Sequence, residues 1–150
     1  MNLQSSTVNH ILLVEDTPSD GELMSIAFEE NQFPHQLHIV NDGESALDFL
    51  MAKKQYSNAP RPDLILLDLN LPKISGHELL KIVKNEPKLK TIPVIILSSS
   101  TLQKDILKSY NLKANCYLNK PYNLKEFINL IKISLNFWLN YSQPPQNYSN

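Results

Sequence analysis

Five short apolar runs recur along the chain, and each is followed by a longer stretch with apolar residues at helical spacing. The runs are His10–Val14, Gln36–Val40, Asp63–Leu67, Ile92–Leu97 and Asn115–Leu118. Continuous runs such as Ile11-Leu-Leu-Val14 suit strands buried on both faces, because a strand with one wet face alternates apolar and polar residues. The stretches between them predict helices over Ser19–Asn31, Gly43–Lys54, Gly76–Asn85, Thr101–Leu112 and Asn123–Tyr141. In the first of these, Leu23, Met24, Ala27 and Phe28 share one side. Strict strand–helix alternation implies parallel pairing and right-handed crossovers, with helices covering both faces. The fold expected is α/β: a doubly wound, five-stranded parallel sheet.

At 150 residues the chain fits one domain, since domains run to ~100–200 residues. The boundaries expected are a flexible N-terminus over residues 1–9, the domain over 10–141 and a disordered Gln/Asn/Ser/Pro-rich tail over 142–150. The 14 basic and 15 acidic side chains nearly cancel, which gives no support to binding nucleic acid or an anionic membrane. A single cysteine, Cys116, excludes an internal disulfide or a thiolate cluster. The three glycines, Gly21, Gly43 and Gly76, cannot make a Gly-rich nucleotide loop. Residues 1–9 carry no apolar leader, and no apolar run approaches the ~20 residues of a spanning helix. A cytoplasmic location is expected. The Asn-Tyr-Ser tripeptides at Asn140 and Asn147 are then read as chance.

In open parallel sheets, ligands bind beyond the carboxyl ends of the strands. Glu15 and Asp16 follow the first run, Asp68 and Asn70 the third, Ser98 and Ser99 the fourth, and Lys120 and Pro121 the fifth. Three carboxylates at one edge repel one another unless a divalent cation neutralises them. Mg²⁺ suits such a site, because it takes a few carboxylates and keeps water or phosphate oxygens in its remaining positions. A carboxylate beside Mg²⁺ and an ammonium is a fitting nucleophile for phosphoryl transfer. Blander readings compete. A lone strand-end Asp68 is usually a cap, Glu15-Asp16 can cap the first helix, and the hydroxyl run Ser98–Thr101 can cap the fourth. Thr17-Pro18 is itself a helix-start signal, which leaves the two acids spare.

The blocks Ile11-Leu-Leu-Val-Glu15-Asp16, Leu66-Leu-Asp68-Leu-Asn-Leu-Pro72 with Gly76, Pro93-Val-Ile-Ile-Leu-Ser98-Ser99 and Tyr117-Leu-Asn-Lys120-Pro121 resemble the receiver domain of two-component response regulators. The resemblance implies a flavodoxin-like (βα)5 fold and a role for each residue. Asp68 is implied to be the phosphoacceptor. Glu15 and Asp16 would hold Mg²⁺, one directly and one through water, with the backbone carbonyl of Asn70. Ser98 would hydrogen-bond the phosphoryl group and Lys120 would pair with it. Tyr117 would be an aromatic switch that turns inward as Ser98 is drawn to the phosphate. Lys120-Pro121 resembles the family's cis peptide. Ser98 stands where Thr is common and Ser99 where Ala is common, departures that keep the hydroxyl and the small size.

A narrower likeness rests on Tyr56 to Arg61-Pro-Asp, Leu89-Lys-Thr-Ile-Pro93, Asn115-Cys-Tyr-Leu118 and Phe137-Trp138. Together these resemble the single-domain regulators of cyanobacterial phytochromes, which implies a phytochrome-type sensor histidine kinase as phosphodonor. The expectation is a stand-alone phosphoacceptor, not an enzyme in its own right beyond catalysing its own transfer and dephosphorylation. It would signal by protein contact. A small aspartate-nucleophile phosphatase would need an acid where Asn70 stands, and a silent, never-phosphorylated module would have no use for the full site set. Cys116 and the four histidines read as packing or surface residues. In the last helix, Leu124, Ile128, Ile131, Leu135 and Trp138 form one apolar stripe, while Phe127, Leu130, Ile133, Phe137 and Tyr141 lie outside it. That girth suggests a partner or homodimer surface on the fourth helix, fifth strand and fifth helix, with Phe137 and Trp138 at the interface.

Overall fold

The computed structural model describes residues 8–30 and 35–145. Residues 1–7 of the expected flexible N-terminus, Asn31 of the first expected helix and residues 146–150 of the expected tail, with Asn147, lie outside the described residues. The elements alternate as the sequence predicts: β1 (Asn9–Val14), α1 (Pro18–Glu29), β2 (His35–Val40), α2 (Gly43–Leu50), β3 (Leu64–Leu67), α3 (Gly76–Asn85), β4 (Val94–Ser98), α4 (Gln103–Asn111), β5 (Cys116–Asn119) and α5 (Leu124–Asn136). A π-helical turn over Phe137–Tyr141 continues α5. All strand pairs are parallel, in the order β2-β1-β3-β4-β5.

Alternate residues of the apolar strands feed two cores. Leu12, Val14, Ile65 and Leu67 face α2 and α3, whose Ala46, Phe49, Leu79, Leu80 and Val83 cover them. Ile11, Leu13, Leu64 and Leu66 face α1 and α5, covered by Met24, Phe28, Phe127, Ile131 and Leu135. Burial on both faces is the reason these strands read as unbroken apolar runs. The sheet order reverses at β1, between β2 and β3, and a cleft opens there beyond the strand ends.

Three helices differ from the sequence reading. Helix α2 ends at Leu50 rather than Lys54, because Ala52 and Lys54 take left-handed backbone that stops it. On α5 the buried face runs through Phe127, Ile131, Ser134 and Leu135. Phe127 is 3% exposed and Leu124 45%. Asn123 caps α5 by accepting from Glu126 N–H, so Leu124 is the first helical residue and lies on the open first turn. Trp138 packs partly against the α1–α5 core, and Phe137, set edge-on to it, is exposed. Helix α4 begins two residues later than expected and fully buries only Ser109. Leu102, its N-cap, and Tyr110 are exposed.

Replacing Phe127 by Ala should cost about 3–5 kcal/mol of unfolding free energy, and Leu124→Ala about 0.5 kcal/mol or less. Denaturant unfolding of the two variants checks the phase of α5. Equal costs would contradict it.

Candidate phosphoacceptor site

Three site residues extend the sheet's hydrogen-bond ladder just past its strands. Glu15 N–H donates to Val40 O at 3.0 Å, Asp68 N–H to Val14 O at 3.1 Å and Lys120 N–H to Ser98 O at 2.8 Å. Their backbones are thus as fixed as the strands themselves. The loop after Asp68 is held from below by Gly76, whose N–H donates to Leu69 O at 3.0 Å. A Cβ at Gly76 would lie 2.5 Å from Asp68 O and from Leu69 Cα. Close approach of α3 to the Asp68 strand end, rather than a left-handed backbone, makes glycine necessary there.

Lys120 gathers the acids. Its Nζ donates to Glu15 Oε2 at 2.7 Å, Asp20 Oδ2 at 3.0 Å and Asp68 Oδ2 at 3.3 Å. An ammonium has three protons, so all of them have carboxylate partners. Glu15 Oε1 accepts from Thr17 N–H at 3.2 Å, and Asp68 Oδ1 from Asn70 N–H at 3.1 Å. Asp16 is exposed. With Asp20, Asp68, Asn70, Ser99 and Lys120 it lines a cavity of about 450 Å³.

The electrostatics follow from burial. Desolvation raises the Glu15 carboxyl from 4.5 to about 7, with Asp68 adding to the rise and Lys120 opposing it. Burial alone would lower Lys120, but its hydrogen bond to Glu15 and the charges of Asp68 and Glu15 outweigh that and raise it. The lysine is therefore a fixed positive charge in this cleft. Glu15, Asp16 and Asp68 each offer a carboxylate oxygen within 4.8 Å of the others. That span and the all-oxygen donor set fit one divalent cation with a water-bridged ligand.

The structure brings Glu15, Asp16, Asp68, Asn70 and Lys120 together as the sequence suggests. Ser98 is set apart from them. It is the last residue of β4, fully buried, and its hydroxyl accepts from Ser100 N–H at 3.1 Å, while Ser99 takes the place on the cavity wall. Tyr117 is buried, and its hydroxyl donates to Ser100 O at 2.9 Å. Ser100 also donates its hydroxyl to Asp105 at 2.6 Å and accepts from Leu102 N–H at 3.3 Å. It is this residue, rather than Ser98, that anchors the start of α4. Among the described residues no peptide bond is cis, so Lys120-Pro121 is trans, unlike the resemblance implied.

Sequence reasoning missed Asp20. Its only signal was an acid in the first turn of α1, close behind Glu15 and Asp16, a place where acidic residues are common for the helix dipole alone. Thr17 is the N-cap but makes no side-chain cap bond. Its backbone N–H is held by Glu15 instead. The strands also bring His10 and His38 together, with Nδ1 to Nε2 at 3.1 Å, and His77 meets the Ser109 hydroxyl at 2.9 Å. These contacts suit packing roles.

An open parallel sheet with a lysine-bridged acidic cluster beyond its central strands is the architecture of a receiver. The response regulator receiver domain family matches residues 11–132, and the chain belongs to it. The chain is 43% identical over 139 residues to Response regulator Rcp1 of Synechocystis sp., covering 93% of this chain and 95% of that protein. The crystal structure of the phosphorylated cyanobacterial phytochrome response regulator RcpA superposes with a TM-score of 0.89 at 43% identity, covering 93% of this chain and all (100%) of that one. The Mn²⁺-bound form of Rcp1 gives 0.86 at 43% identity, covering 92% and 99%. The flavodoxin-like receiver fold and the likeness to phytochrome response regulators are thus both borne out.

Glu15 supplies a pH prediction. Its folded pKa lies above the unfolded value, so its contribution to stability is full below pH 4.5 and is lost as pH rises through about 7. In chelator, unfolding free energies of wild type and Glu15→Gln should diverge across that window by about 3 kcal/mol, in favour of the variant at the alkaline end. A pH-independent difference would contradict the assignment.

Proposed function

We propose that this chain is a single-domain response regulator in which Asp68 accepts a phosphoryl group from the phosphohistidine of a phytochrome-type sensor histidine kinase, with Mg²⁺ required. The observation that carries this reading is the placement of Asp68. It follows the central strand, one of its oxygens is fixed by Asn70 N–H, and the other is paired with an ammonium at the floor of an open cavity. In the transfer, a carboxylate oxygen of Asp68 bonds to phosphorus. In a ring already protonated on its other nitrogen, the bond from phosphorus to the imidazole nitrogen breaks, and the ring keeps that electron pair and leaves as neutral imidazole. Asp16, Asp68 and the backbone carbonyl of Asn70, with Glu15 through water, would hold Mg²⁺, whose charge offsets that of the phosphoryl oxygens. Lys120 supplies the remaining positive charge. The same residues would serve autocatalysed transfer and later hydrolysis.

Output runs through the β4–α4 loop. Ser98 is drawn to a phosphoryl oxygen and exchanges its bond with Ser100 N–H. Ser100 is the residue on which Tyr117, Asp105 and Leu102 converge, so the start of α4 responds. The surface read by partners is α4, β5 and α5, on which Leu107, Ile133, Phe137 and Tyr141 are exposed. A homodimer through this face is the favoured contact, with Phe137 in it and Trp138 supporting it from the core side. The working unit is residues 10–141. No described helix is long and apolar enough to cross a membrane; a cytoplasmic setting suits a histidine-kinase donor, and the output expected is contact with another protein.

Asp68→Asn should fold normally and take no label from acetyl phosphate with Mg²⁺, measured by intact mass. Label persisting on the variant would contradict the assignment. Ile133→Ser with Phe137→Ser should lower the mass in solution from dimer to monomer by light scattering. An unchanged mass would remove the proposed face.

A further inference from the structure

Asp20 belongs to none of the receiver motif blocks, yet it holds one of the three protons of Lys120. Building on the reading of Asp68 as phosphoacceptor, we propose that Asp20 is a positioning residue that competes with the phosphoryl group for Lys120 and so restrains transfer. The ammonium is saturated by Glu15, Asp20 and Asp68. An incoming phosphoryl oxygen can pair with Nζ only by displacing one of them. Asp68 is the residue being modified. The Glu15 side chain is 2% exposed and is also tied to Thr17 N–H, so releasing it would strand a buried carboxylate. The Asp20 side chain is 31% exposed and lines the cavity, so water replaces its lost partner at little cost. Asp20 is therefore the carboxylate that gives way. Because it sits in the first turn of α1, the exchange also frees that turn from β5 as the phosphoryl group arrives.

The contact is a partly exposed ion pair, so its loss corresponds to a rate change of about two- to fivefold. The intact chain, saturated with Mg²⁺, is treated with acetyl phosphate, and the labelled fraction is followed by mass against time. Asp20→Asn should label about two- to fivefold faster than wild type. Asp20→Glu, which keeps a carboxylate within reach of Nζ, should restore the wild-type rate. Glu22→Gln makes the same charge change on an exposed residue of α1 away from the cavity and should leave the rate unchanged. The pairing itself is read from the ¹³Cε resonance of Lys120, which should shift in Asp20→Asn and not in Asp20→Glu before any donor is added; an unmoved resonance in Asp20→Asn overturns the inference. Equal labelling of wild type and Asp20→Asn overturns the inference, as does equal acceleration by Glu22→Gln. A wild-type chain that takes no label overturns the reading of Asp68 itself, and this inference falls with it.

Discussion

The Lys120 ammonium, within 3.3 Å of Glu15, Asp20 and Asp68, permits acidic side chains to share the carboxyl edge of the sheet. Without it, Glu15 and Asp68 would be buried charges beside each other, a costly arrangement. The lysine reaches this position because β5 is parallel to β3 and ends at the same edge, with β4 between them. One cation does not balance three acids plus Asp16, and the residual negative charge is what recruits a divalent ion. Asp68 is thus held ready in a cleft that favours anions only once a metal is present.

Much of this was legible in the sequence because a parallel sheet turns chain position into spatial position. Glu15, Asp68 and Lys120 each follow an apolar run, and their backbone amides prolong the strand ladder. What escaped the sequence depends on helical phase and on contacts between elements. Asp20 looked like an ordinary acidic first-turn residue. On α5, Leu124 lies on the open first turn and Phe127 in the core, a choice made by packing against α1 and the sheet that periodicity alone does not fix. The burial of Ser98, with Ser99 on the cavity wall, depends on β4 continuing one residue beyond the apolar run.

The blocks that gave the narrower, phytochrome-type likeness sit away from the acidic site. Arg61 donates to Lys88 O and to the Thr91 hydroxyl. Asn115 Oδ1 accepts from Val94 N–H at 2.9 Å and from Lys84 Nζ at 2.8 Å. Lys84 is half-buried among carbonyls, and that burial lowers its pKa to about 8. These residues pin the long α2–β3 loop and the start of β5 to the entry of β4. Their contacts are structural ones, while the acidic site sits at the opposite ends of the strands.

In the proposed function, phosphoryl input at Asp68 and Lys120 and output at α4 are joined through the bonds that Ser98, Tyr117 and Asp105 make to Ser100. The most direct test of that account is to locate the phosphoryl group after transfer from an autophosphorylated phytochrome-type histidine kinase. Borohydride reduction converts a phosphorylated aspartate to homoserine, which peptide mass then places in the chain. The account predicts conversion at position 68 alone, and only when a divalent cation is present. Conversion at Asp16 or Asp20, or transfer that proceeds equally in chelator, would contradict it.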